Sequence, residues 1–210
     1  MSEPEDLVRT ITHKGVCDPR LLEALRAVPR AGFVPTNLAE QAYEDKPLPI
    51  PHDQVTTQPS LVARMVEALE LTGSERVLEV GAGYAWQTAL LARLGGLVWA
   101  VERFGDVAEA ARENLARFGV TNAEVVTVDG TKGLPEHAPY DAILVAAAFP
   151  SVPRPLEEQL AAGRRLVQPV GPGGREEVVL FEKGTRGLVR RRTIAWACFV
   201  RLHGVHAFPE

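Results

Sequence analysis

Apolar positions along the chain recur with two different periods, and the order of those periods lays out the elements. From Pro4 to about Val28 they fall at helical spacing (Leu7, Val8, Ile11, then Leu21, Leu22, Leu25, Val28). Gly15 and the helix-starting Asp18-Pro19-Arg20 interrupt the pattern, so two short helices are expected. Residues 29–59 hold six prolines and little periodicity, an irregular stretch longer than compact domains usually carry without a purpose. Phe33, Val34, Tyr43, Leu48 and Ile50 within it would be wasted on a solvated linker, which points to a packed cover. A helix from Pro59 to about Leu71 follows.

Strands and helices then alternate: strand 76–80, helix 86–94, strand 97–101, helix 105–118, strand 124–128, strand 141–147, helix 154–161 and strand 164–170. That order predicts an α/β fold, a mostly parallel, doubly wound sheet with helices on both faces. The β-like runs 176–182, 187–194 and 196–202, with no helix between them, predict an antiparallel C-terminal edge.

Composition narrows the partners. At 210 residues one domain is expected, and a net charge of −4 leaves no basic surplus to hold nucleic acid. The N-terminal MSEPEDLVR is acidic and lacks a secretory apolar core. The longest apolar run, Ala142 to Phe149, is far short of the roughly 20 residues that span a bilayer, so a cytoplasmic protein without membrane contact is expected. Cys17 and Cys198 stand 181 positions apart and read as buried small hydrophobes or surface thiols. The five histidines include no i, i+4 pair and no acidic companion at metal spacing, so no metal site is expected. Arg190 to Arg192 read as a solvated strand or turn, and Trp86, Trp99 and Trp196 as core or pocket wall.

Candidate chemistry concentrates in residues 76–104, RVLEVGAGYAWQTALLARLGGLVWAVERF. A strand ending in Glu79-Val80-Gly81-Ala82-Gly83 and turning into a helix frees backbone N–H groups and lets a ligand approach the main chain. Glu102 ends the next strand, 21 residues after Gly81, where a carboxylate can accept from both hydroxyls of a ribose. A dinucleotide fingerprint wants a third glycine where this chain has Trp86, so pyrophosphate is disfavoured. Asp129-Gly130 ends the third strand, placing an acid for an adenine amine, and Glu79 sets negative charge beside the crevice. An adenosine with a positive centre is S-adenosylmethionine.

These residues resemble the protein-L-isoaspartate O-methyltransferase family along nearly the whole chain. The motifs are DPRLLEALRAVPRAGFVP (18–35), AYEDKPLPI (42–50), QPS (58–60), VLEVGAG (77–83), VERF (101–104), VDGTKGLPEHAPYDAILVAAA (128–148) and GRRLVQPVGPGG (163–174). The resemblance implies a Rossmann-like methyltransferase fold in one domain. Residues 1–59 would supply N-terminal helices and the substrate-covering segment, 29–59, and 60–210 would form the cofactor-binding core and C-terminal strands. It implies S-adenosylmethionine as cofactor, and it adds Gln58, Ser60 and Arg103 to the cofactor-binding residues Glu79, Gly81, Gly83, Glu102, Asp129 and Gly130. Isoaspartyl-containing peptides and proteins would be the substrates, and a monomer is favoured. Where the family typically has a serine, Thr57 keeps a hydroxyl and is the candidate for holding the substrate carboxylate; a helix N-cap is its other reading.

Three departures stand out: Thr57, the Tyr84-Ala85-Trp86 run where small residues are usual, and Arg201 and His203 where a Pro-Leu pair is common. No role is assigned to the last two. An enzyme methylating an aspartate in one dedicated peptide, and a non-catalytic S-adenosylmethionine- or peptide-binding module, remain open at this level.

Overall fold

Two irregular layers flank a seven-stranded sheet in the computed structural model, which describes residues 3–209. The N-terminal helices are α1 (Pro4–His13) and α2 (Pro19–Ala27), the second capped by the Asp18 carboxylate, which accepts from the Arg20 N–H at 2.8 Å. The proline-rich stretch forms 3-10 turns at Arg30–Phe33 and Thr36–Gln41, then a small hairpin of β1 (Leu48–Ile50) and β2 (Gln54–Thr56). It is packed: Phe33 is fully buried and stacks on Phe118 with ring centroids 4.8 Å apart, while Val34, Ala42 and Leu48 form a small apolar cluster.

After α3 (Pro59–Ala68) come β3 (Arg76–Val80), α4 (Trp86–Leu94), β4 (Leu97–Glu102), α5 (Gly105–Arg117), β5 (Ala123–Thr127), β6 (Tyr140–Val145), α6 (Arg154–Gln159), β7 (Leu160–Val170), β8 (Glu176–Gly184) and β9 (Gly187–Ala197). The strand order is β5-β4-β3-β6-β7-β8-β9; β3 to β7 pair in parallel, and β8 and β9 add an antiparallel edge. The chain winds outward from β3 to β5 and then in the other direction from β6, so the order reverses between β3 and β6. The crevice outside their carboxyl ends is where an open α/β sheet takes its ligand.

β3 is buried on both faces, and its alternation splits the core in two. Val77 faces the layer containing residues of α1 to α5, whereas Leu78 and Val80 face the layer with α6 and the C-terminal segment. The second layer is the thinner in helix, and residues 200–207 help to cover it.

One strand differs from its expectation. Residues 187–197 form a single strand, and 198–202 leave the sheet instead of making another. The buried Glu176 carboxylate accepts the Phe199 N–H at 2.8 Å and turns the chain away. Residues 200–202 then run beside Ala148, which donates to the Val200 carbonyl and accepts from the Leu202 N–H, both at 2.8 Å. The tail thereby reaches the crevice.

Candidate active site

A cavity lies at the carboxyl ends of β3 and β4, with about 970 Å³ of non-atom space when its open mouth is counted. Gly81, Gly83, Glu79, Glu102, Arg103 and Gly130 all line it, and so does Thr57. The turn after β3 needs its glycines, since Gly81 (φ +92°) and Gly83 (φ +53°) lie in the left-handed region. Ala85 (φ +68°) takes the same conformation without a glycine's freedom. Trp86 does not obstruct the space: its indole N–H donates to the Val28 carbonyl at 3.2 Å, and the ring forms wall.

Two carboxylates sit in the cavity lining, held differently. Glu102 accepts from the Gly83, Arg103 and Phe104 N–H groups at 3.0, 2.8 and 3.2 Å, which fixes it against the glycine turn. Glu79 is fully buried, accepting from Gln87 Nε2 at 2.8 Å and from the Thr88 hydroxyl at 2.5 Å. Burial pushes its carboxyl up to about 7, against the lowering effect of those two bonds, and the nearby Glu102 charge adds to the rise.

Thr57 lies between β2 and α3. Its neighbour Thr56 is committed to structure, accepting from Arg30 Nη2 at 2.9 Å and from the Leu48 N–H at 3.1 Å. The Thr57 hydroxyl makes no hydrogen bond to the described residues. The N-cap reading fails: the cap of α3 is Gln58, with no side-chain capping bond.

Gln58 and Ser60, expected beside the cofactor, do not line the cavity. Both are bound to Asp45: Gln58 Nε2 donates to its carbonyl and carboxylate at 3.0 Å, and the Ser60 N–H donates to Oδ1 at 2.8 Å. Lys14 completes that cluster at 2.6 Å from Oδ2. Burial would raise the Asp45 carboxyl, yet the bonds from Lys14, Ser60 and Gln58 hold it below the usual range. These residues anchor the cover to α1 and α3.

Asp129 lines an adjoining cavity that shares Arg103, Phe104 and His203 with the first. Its Oδ1 accepts from the Thr131 N–H (2.9 Å) and hydroxyl (2.7 Å), and its Oδ2 from the Val205 N–H of the tail (3.0 Å).

Three contributors gave no periodic signal. Arg30, 1% exposed, threads the cover and donates to the carbonyls of Ala42 (2.8 Å), Glu44 (3.3 Å) and Lys46 (3.1 Å) besides Thr56. Desolvation lowers its guanidinium to about 10. His52, at the hairpin tip, bonds both oxygens of Asp106 at 2.9 Å, and this lowers the Asp106 carboxyl. Val200 to His203 bring the tail to the cavity wall. Of the tryptophans, Trp86 and Trp99 are buried, but Trp196 is 58% exposed. Both cysteines are exposed and free.

The residues present fit an adenosine bearing a positive centre. The glycine turn lets a ligand meet the main chain, Glu102 presents a carboxylate at the end of β4, and Glu79 adds acidity below. This fold and site define a Rossmann-like methyltransferase. A model of the family described as protein-L-isoaspartate(D-aspartate) O-methyltransferase matches residues 2–207, and the chain belongs to that family. A protein of Methanoculleus marisnigri named protein-L-isoaspartate O-methyltransferase is 50% identical over 203 residues, covering 96% of this chain and 92% of its own. One of the same name from Aeropyrum pernix is 49% identical over 199 residues, covering 93% and 76%. A solved structure of that name superposes with a TM-score of 0.86 at 30% identity, covering 98% of this chain and 67% of that one. A Plasmodium falciparum structure in complex with S-adenosyl-L-homocysteine superposes with a TM-score of 0.80 at 21% identity, covering 97% and 99%, a likeness of fold.

Proposed function

We propose that this protein methylates the free α-carboxylate of L-isoaspartyl residues in damaged proteins and peptides, with S-adenosylmethionine as methyl donor. The observation that carries this reading is the Thr57 hydroxyl, which lines the same cavity as the glycine turn and Glu102 while its neighbour Thr56 is tied to Arg30.

Glu102 would hold the ribose hydroxyls, the Gly81–Gly83 backbone the methionine end, and Glu79 would place negative charge by the sulfonium. Gly130, Arg103 and Asp129 would border the base. When bound, S-adenosylmethionine supplies a methyl group activated by a positively charged sulfur. The substrate carboxylate, with a pKa of about 4, is already ionised at neutral pH, so the chain needs no general base. Its work is alignment and exclusion of water. Thr57 donates one hydrogen bond to one carboxylate oxygen and leaves the other free to attack, while the hairpin and the tail wall off solvent. In an isoaspartyl linkage the α-carboxylate sits one bond from the main chain, a short reach that suits a narrow cover.

A monomeric enzyme of the cytoplasm that works without nucleic acid completes this reading, and the net charge of −4 supports the last of these. Among the described residues no helix is long and apolar enough to cross a membrane.

Substitutions at Thr57 test the carrying observation. Thr57→Ser retains most activity, while Thr57→Val, nearly isosteric, lowers kcat/KM by roughly tenfold to a hundredfold, the worth of a hydrogen bond to a charged group. Cofactor affinity stays near wild type in both. Full activity in Thr57→Val contradicts the assignment.

A further inference from the structure

Arg201 stands in the C-terminal tail, and the fold brings it to the active-site cavity. Val200, Arg201, Leu202 and His203 line the same space as Thr57, because residues 200–202 are hydrogen-bonded alongside Ala148. The guanidinium is braced from two sides. Its carbon lies 5.2 Å from the centroid of the Phe208 ring, which itself meets Phe149 edge-on at 5.0 Å. Its Nε lies so near Gly173 that a Cβ there would come within 2.7 Å. Among the described residues no carboxylate lies within ion-pair distance of Arg201.

The charged side chains that line the cavity include Arg103 besides Glu79, Glu102 and Arg201, and the Arg103 guanidinium lies over the Phe104 ring, 4.9 Å from its centroid. The cavity's two acids, Glu79 and Glu102, already accept hydrogen bonds from the protein. Arg201, exposed and braced, offers a guanidinium fork matched to a carboxylate. Two other exposed arginines near the end of the chain are spent differently: Arg190 pairs with Glu177, and Arg191 with Glu182 at 2.8 Å, across β8 and β9. We infer that Arg201 is a specificity-determining residue that recognises a second carboxylate on the peptide, an acidic side chain next to the isoaspartyl residue.

This inference rests on the isoaspartyl reading, and the test separates the two. Three isoaspartyl peptides, identical except for glutamate, glutamine or lysine beside the isoaspartyl residue, are compared by methyl transfer and, fluorescently labelled, by anisotropy. Wild type is expected to favour glutamate over glutamine by roughly threefold to tenfold at low salt, with lysine poorest, and the preference shrinks as salt rises. Arg201→Gln brings the glutamate-to-glutamine ratio close to one, Arg201→Lys keeps part of it, and Arg201→Glu inverts the order. If Arg201→Gln does not fold, the salt dependence of wild type and the partial preference of Arg201→Lys still decide the matter. A wild-type ratio near one, or the same ratio in Arg201→Gln, overturns the inference. So does an equal loss on all three peptides in Arg201→Gln, which would mean that the arginine holds the reacting carboxylate instead. Absence of methyl transfer from every peptide counts against the isoaspartyl reading, and the anisotropy ratios then still decide the role of Arg201.

Discussion

The imidazole of His52 lies flat on the ring of Phe104, with centroids 4.1 Å apart and planes 6° from parallel. His52 sits at the tip of the cover hairpin, and Phe104 is the residue before α5, its N–H bonded to the Glu102 carboxylate. This stack joins the cover to the segment that follows Glu102, reinforced by the bonds from His52 to Asp106.

Removing that clasp loosens the cover without opening the core. His52→Ala is expected to raise the peptide KM by roughly twofold to tenfold, the range of one aromatic stack. Amide exchange over residues 48–56 quickens, while the thermal midpoint hardly moves. A KM equal to wild type with unchanged exchange shows that the hairpin is held by its base alone.

The base of the cover depends on Arg30. Its four acceptors lie at Ala42, Glu44, Lys46 and Thr56, so a side chain with a single charged point cannot serve them together. Arg30→Lys should cost about 2–4 kcal/mol in urea denaturation, through acceptors left buried and unpaired. Activity should fall as Thr56 and Thr57 shift. A loss below about 0.5 kcal/mol contradicts this account of the cover.

Glu79 predicts a pH signature. Its folded value of about 7 lies above the ordinary glutamate value of 4.5, so its contribution to stability is fully present below pH 4.5 and is lost as pH rises through about 7. Glu79→Gln removes the buried charge, and rotation of the Gln87 amide lets its unpartnered Oε1 accept from the new side chain. The variant without cofactor should match wild type at pH 5 and be more stable by about 1–3 kcal/mol at pH 8. With Glu79 beside the sulfonium as proposed, cofactor affinity should fall at pH 8, because that negative charge is gone. An unfolding difference that does not grow between pH 5 and pH 8 refutes the assignment.

Much of the scaffold was readable from periodicity. Strand 76–80 and helix 86–94 fall where apolar spacing puts them, because both are buried elements whose neighbours come from regular repeats. The cavity side of Gly81, Gly83 and Glu102 was readable too, since the turn and the strand end fix those positions locally. What escaped depends on contacts between distant residues. Gln58 and Ser60 look like site residues by motif but are claimed by Asp45, 13 and 15 positions away within an irregular stretch. Arg30 looks like a surface charge until the cover folds around it. The end of β9 is set by Glu176, 23 positions from the Phe199 N–H it captures, and that capture together with the pairing of residues 200–202 to Ala148 brings Arg201 to the cavity.

Selection of the isoaspartyl carboxylate is tested most directly by kcat/KM for one peptide carrying isoaspartate and for its twin carrying aspartate at the same position, with methanol collected during turnover. Methylation makes the α-carboxyl a methyl ester, the following amide nitrogen closes a succinimide with loss of methanol, and water opens that ring partly to normal aspartate. The account predicts methyl transfer and methanol from the isoaspartyl peptide, normal aspartate accumulating with it, and neither signal from the twin. Equal methylation of both peptides would contradict it.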